Sequence, residues 1–369
     1  MNRFAQYGCR PVINASGKMT ALGGSAVASE VAAAVGEAAM DYVDVSDFME
    51  AAGRAIAGAT GAEDGCPTSG ASAGMAIAVA AVIAGSDPKL IGRLPDSEGL
   101  RNEIVVQKGH SEPFGAFVRQ MIALGGGRTI EVGEPDLTEE RHIREAVNDR
   151  TAALFYVKSH RTAQSGMQSL EVMIAAARER GLPVIVDAAA EEDLRRYIAA
   201  GAELVIYSGA KALEGPTSGL ICGRADYMRA CREQYDGIGR PMKIGKEGIA
   251  GLLAALERYA DRTDESERQK ERMLWLIEEL RGIEGLRGSI VQDEAGRAIY
   301  RAKLEVDEAA LGFDAARLAE RLKTGEPAIY TRSHKAGLGV IYVDPRPLLP
   351  GQEAAIAARI KEIVQSQQK

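Results

Sequence analysis

Short runs such as PVIVDA (183–188) are apolar at nearly every position, and stretches with a 3.6-residue period separate them. A strand with one wet face alternates polar and apolar residues. One that is apolar throughout is buried on both faces, which requires a mainly parallel sheet covered by helices. The runs 103–107, 128–132, 152–157, 183–188, 203–207 and 218–222 are predicted strands of such a sheet, so the fold class is α/β. Thr138 is predicted to cap a helix with Glu139 and Glu140 in its first turn, and Ser169 to cap LEVMIAAARER, which stops at Gly181. A helix is expected over Ser29–Met40 and a long connecting helix over 246–282. After 283 the order is strand, strand, helix, strand, strand, helix, a smaller α+β domain. The expected organisation is an N-terminal arm and helix (1–45), a large domain (46–245), the connecting helix (246–282) and a small C-terminal domain (283–369).

The chain has 369 residues, enough for two domains and a sizeable core. Its net charge of −7 lacks the basic footprint of a nucleic-acid binder. The 41 glycines beside 5% aromatics favour tight strand-to-helix turns over a surface for stacking bases. The longest small-and-apolar stretch, 73–85, falls short of the roughly 20 residues that cross a bilayer. The four cysteines show no CxxC pair or metal spacing, and the first residues hold no apolar leader. A cytoplasmic protein with reduced thiols and no metal is expected.

Four elements at predicted strand-to-helix junctions carry candidate chemistry. Lys211, in YSGAK after the apolar ELVIY, stands where ligands collect in open α/β sheets. Held in a partly apolar place, it is an amine nucleophile of the kind that forms a Schiff base, although a lone lysine there also reads as an exposed loop residue. Asp187 ends PVIVDA, where a carboxylate needs a partner: a protonated ring nitrogen, or the N–H groups of a helix near Glu191. Ser69, Gly70, Ala71 and Ser72 open an apolar helix, forming an anion cradle or an ordinary cap. His110 follows EIVVQ, placed to stack on a flat ring or to sit in a loop. His160 follows ALFYV in the same way, as a cofactor-edge or substrate contact.

A phosphate cradle, a ring-stacking imidazole, a carboxylate and a lysine in that order resemble the fold-type-I pyridoxal-phosphate enzymes over most of residues 14–245. INASG (13–17), TSGAS and SGAK…GPTSG are similar to the selenocysteine-synthase-like branch. GKMTALGGS (17–25) and RPMKIGKE (240–247) resemble its ammonia-lyase members. The resemblance implies a seven-stranded large-domain sheet and pyridoxal 5'-phosphate as cofactor. Lys211 would bond covalently to the cofactor, Asp187 would hold the pyridine nitrogen and His110 would stack on the ring. Gly70, Ala71, Ser72 and Ser208 would hold the phosphate, with Thr217 reaching the site of a neighbouring subunit. A homodimer or higher homo-oligomer follows. Arg332 would grip the substrate carboxylate, and Lys18, Arg240, Lys243 and Lys246 are available for a distal phosphate.

The expected reaction is an α,β-elimination on a phosphorylated, sugar-derived 2-amino acid, releasing ammonia and a 2-keto-3-deoxy acid. The tRNA-dependent members carry an extra N-terminal RNA-binding region. Here the lysine stands only 211 residues in and the net charge is −7, so no nucleic-acid or membrane partner is expected. The rivals are an aminotransferase, a selenocysteine-synthase-like transferase or another lyase of the branch, and a non-catalytic ligand-sensing module. A dinucleotide oxidoreductase is disfavoured because no GxGxxG follows an early strand.

Overall fold

The computed structural model describes residues 3–113, 115–159, 162–293 and 298–366. The chain forms two compact units, residues 27–261 and residues 1–26 with 262–369. The expected boundaries differ from this division in two places. The N-terminal segment to Ala26 belongs with the C-terminal unit, because β1 (Val12–Ala15) pairs in parallel with a strand more than 300 residues away. The expected connecting helix is two helices, Lys246–Ala260 and Ser266–Glu279, one in each unit.

The large unit is built on seven strands: β2 (Asp64–Thr68), β3 (Glu103–Gln107), β4 (Arg128–Val132), β5 (Thr151–Val157), β6 (Val184–Asp187), β7 (Leu204–Ser208) and β8 (Gly219–Gly223). Their order is β2-β8-β7-β6-β5-β3-β4, and only β8 runs against its neighbours. Successive strand residues feed different cores. Val105, Leu154, Val186 and Val205 pack on one face, and Ile104, Phe155, Ile185 and Ile206 on the other. This two-sided burial is why the runs are continuously apolar. The helix Ala71–Ala84 lies on the second face and is itself apolar all round. The first strand, DGCPT, has no strand-like composition. Its Pro67 is tolerated because β2 is an edge strand, paired only with β8.

Glu139, rather than the predicted Thr138, caps Glu140–Ala146. It forms a capping box in which His142 Nδ1 accepts the Glu139 N–H at 3.2 Å. Thr138 is instead fully buried. Ser169 caps Leu170–Arg178 as predicted.

The small unit contains a three-stranded antiparallel sheet of β9 (Leu286–Gln292), β10 (Tyr300–Val306) and β12 (Val340–Val343), in the order β12-β10-β9. A parallel pair joins β1 to β11 (Ala328–Thr331). Helices Ser266–Glu279, Ala315–Lys323 and Gln352–Gln365 share its core with Ile13 and Ala15. Among the described residues no helix is long and apolar enough to cross a membrane.

Candidate active site

The carboxyl ends of the central strands gather the large unit's candidate residues. Asp187 ends β6, 5% exposed, with Val157 of β5 and Ile206 of β7 beside it in register. Its Oδ1 accepts the Ala189 N–H at 3.1 Å. Burial pushes its pKa up, while the positive charge of Lys211 and the Ala189 hydrogen bond pull it back. The next helix starts only at Arg196, so Asp187 is not the cap of a helix at Glu191. A carboxylate held this way is under-compensated and suits a cationic ring nitrogen.

Lys211 is half-buried in the 209–218 loop between the antiparallel strands β7 and β8. The loop is closed by Gly209 N–H donating to the Ser218 carbonyl at 2.8 Å and Gly215 N–H to the Gly209 carbonyl at 2.7 Å. Its closure fixes where the lysine leaves the sheet. Ser208, the last residue of β7, donates its N–H to the Ala189 carbonyl at 3.2 Å and pairs with Gly219. Thr217 is exposed.

Gly70 precedes the helix Ala71–Ala84 without a side-chain cap. The first helical bond runs from Gly74 N–H to the Gly70 carbonyl, so the N–H groups of Ala71, Ser72 and Ala73 have no acceptor in the helix. Ser69 is committed elsewhere, donating its hydroxyl to the Met242 carbonyl at 2.8 Å. A Cβ on Gly219 would lie 2.6 Å from the Gly70 carbonyl carbon and 2.7 Å from Ala71 N. Glycine at 219 is therefore what lets β8 start against the helix end. Open N–H groups at the start of a 14-residue helix fit a phosphate.

His110 is fully buried. Its ring meets Tyr156 edge-on at 4.7 Å, and its Nδ1 accepts the Val157 N–H at 3.3 Å. Burial first, then the Lys158 charge, push its pKa down to about 4, against a smaller pull from the Ala163 carbonyl. The imidazole is therefore neutral at pH 7. His160 lies outside the described residues.

Of the basic residues, Arg240 and Lys243 are exposed. Lys246 donates to the Ala38 carbonyl and pairs with Glu247 at 3.1 Å, so it ties helices together. Lys18 and Arg332 belong to the small unit. There Arg332 follows β11, half-buried, its N–H donating to the Tyr342 carbonyl at 2.9 Å. Burial first and the nearby Arg301 charge then lower its pKa from the ordinary guanidinium value. Sequence reasoning missed Tyr156 and Lys158 around His110, and Arg301 and Asp344 around Arg332. Each reads locally as an ordinary strand or strand-end residue.

The sheet order, the strand-end carboxylate, the loop lysine and the open helix start define the fold-type-I pyridoxal-phosphate class. Aminotransferases of known structure share the fold at TM-scores of 0.56 to 0.60 and 13 to 16% identity. Residues 12–284 match the family SelA: L-seryl-tRNA selenium transferase, and the chain belongs to that family. It is 50% identical over 366 residues to 5'-C-glycyluridine monooxygenase-decarboxylase of a Streptomyces species, covering 98% of this chain and 92% of that protein. It is 46% identical over 364 residues to D-glucosaminate-6-phosphate ammonia lyase of Salmonella typhimurium (strain 14028s), covering 99% and 98%. A solved structure of D-glucosaminate-6-phosphate ammonia-lyase superposes with a TM-score of 0.95 at 45% identity over the full length of both chains.

Proposed function

We propose that this chain is a pyridoxal-phosphate-dependent carbon–nitrogen lyase. Its substrate on this reading is D-glucosaminate 6-phosphate, and its products are 2-keto-3-deoxygluconate 6-phosphate and ammonia. One observation carries the reading: a buried, under-compensated Asp187 within electrostatic reach of Lys211, in a chain 46% identical to such a lyase. The N–H groups of Ala71 and Ser72, with Gly70 and Ser208, would hold the cofactor phosphate. Asp187 would keep the ring nitrogen protonated, and His110 would lie against the ring. When bound, the cofactor supplies an electron sink for the pair left at Cα.

Lys211 would hold the cofactor at rest, and its Nζ, when free, would take the Cα proton of the substrate. The resemblance would give the substrate carboxylate to Arg332 and leaves Lys18, Arg240 and Lys243 as candidates for the distal phosphate. The β-hydroxyl leaves as water, and hydrolysis then releases ammonia and the keto acid. The test is incubation with D-glucosaminate 6-phosphate and no added keto-acid acceptor. Ammonia and keto acid should appear in equal amounts, and an absolute need for an acceptor would instead make the chain an aminotransferase.

The 50% identity to the Streptomyces protein favours a second reading, an oxygen-using decarboxylase on a glycyl nucleoside. Oxygen uptake with 5'-C-glycyluridine, and no ammonia from the sugar acid, would select it. We also read the chain as a cytoplasmic homodimer or higher homo-oligomer in which Thr217 completes a neighbour's phosphate site. The apolar run Met40, Tyr42, Val43 and Val45 supports assembly, being exposed throughout, with Tyr42 at 101%. Light scattering of wild type and Tyr42→Asp tests it: a wild type at monomer mass contradicts the reading.

A further inference from the structure

The small unit holds a charged cluster at the ends of its strands. Asp344, fully buried just after β12, accepts Arg301 Nε at 2.9 Å. It also takes Arg346 in a bidentate pair at 2.9 and 2.8 Å. Arg301, 6% exposed on β10, also reaches Asp293 at 2.8 Å, yet its buried Nη2 has no hydrogen-bond partner among the described residues. Arg332 has no carboxylate partner among the described residues. Gly17 closes the cluster from the N-terminal segment, where Asp344 N–H donates to the Ala15 carbonyl at 2.9 Å. Gly17 adopts φ +113°, and a Cβ there would lie 3.6 Å from Arg346 Nη2 and Asp344 Oδ2 and 3.7 Å from Arg332 Nη1. Two guanidinium ends therefore face one point that carries no side chain. The Asn14 side chain holds this turn by donating to the Gly17 carbonyl at 2.8 Å.

Among the described residues three guanidiniums stand against two carboxylates, which leaves one positive charge. A single carboxylate balances it, whereas a phosphate with about 1.5 to 2 negative charges overshoots. We propose that Asp344 is a positioning residue that sets the charge of this anion site, so that Arg332 takes one singly charged oxyanion in preference to a phosphate. Asp344 does so by tying down Arg301 and Arg346 and offsetting their repulsion of Arg332. This deepens the reading of Arg332 as the carboxylate grip and rests on it.

The test is arginine labelling of the full-length holoenzyme with phenylglyoxal, mapped by peptide mass. D-Gluconate, which lacks the reacting amine, and inorganic phosphate serve as protectants. In the wild type Arg332 is labelled ahead of Arg301 and Arg346, and gluconate protects it at about tenfold lower concentration than phosphate. Asp344→Asn raises the site's charge, so phosphate gains about tenfold relative to gluconate and Arg346 becomes labelled. Asp344→Glu keeps the carboxylate preference. Equal or better protection of the wild type by phosphate overturns the proposal even if Asp344→Asn does not fold, as does an unchanged preference in a folded Asp344→Asn. Labelling needs no turnover, so a chain that releases no ammonia but keeps this preference overturns the reaction and leaves the site standing.

Discussion

Asp187 and Asp344 are both buried aspartates at strand ends, one in each unit, and their electrostatics are opposite. Asp187 has one backbone N–H and a lysine charge to offset its burial, and its pKa is raised. Burial would raise Asp344 too, but the guanidiniums of Arg346 and Arg301 hold it well below the usual carboxylate range. Burial alone therefore does not say what a carboxylate is for. The compensated one ties two arginines in place, while the under-compensated one has little to offset its charge, as the proposed role toward a cationic ring requires.

Variants that remove one member at a time break or sharpen this contrast. The largest effect falls on the lysine beside Asp187. Lys211→Ala should cut ammonia release by at least about 10³-fold, measured with saturating cofactor. Next, Asp344→Asn should lower the unfolding free energy by about 3 kcal/mol in denaturant titrations, because it strands a guanidinium. Asp187→Asn in the cofactor-free protein should leave stability unchanged or raise it by about 1 kcal/mol, having removed a charge with little compensation. A cofactor-free Asp187→Asn destabilised as much as Asp344→Asn would erase the distinction.

His110 adds a pH signature to the large unit. Its pKa is lower folded than unfolded, so the unfolded chain takes the proton first as pH falls. The contribution is complete above pH 6.5 and drains toward about 4, at a cost of about 3 kcal/mol. His110→Phe should flatten that part of the stability–pH curve. Asp187, with a raised pKa, works in the other direction: stability falls as pH rises from 3.8 to its shifted value and is level beyond. A small effect is expected at exposed Lys243, where Lys243→Glu should raise KM about fivefold with kcat unchanged.

How much was legible follows from how local each signal is. The strands 103–107 and 128–132 were read to the residue; uniform burial leaves a compositional mark on the first, whereas the second is an edge strand with Arg128 and Glu131 exposed. The lysine, the aspartate and the helix start were readable because each sits at a strand end, which a sequence shows. DGCPT was not, since its strand character comes from its neighbour β8 and not from its own side chains. Nor was the attachment of Val12–Ala15 to Ala328–Thr331, a pairing no local pattern encodes. Arg301 and Asp344 read as members of an alternating strand and a strand end. Only the fold brings them together.

The proposed chemistry of the large unit turns on one amine. Borohydride reduction of the protein loaded with pyridoxal phosphate, followed by peptide mapping, tests it most directly. The label should fall on Lys211 alone, and protein that takes up no label, or carries it on another lysine, would contradict the account.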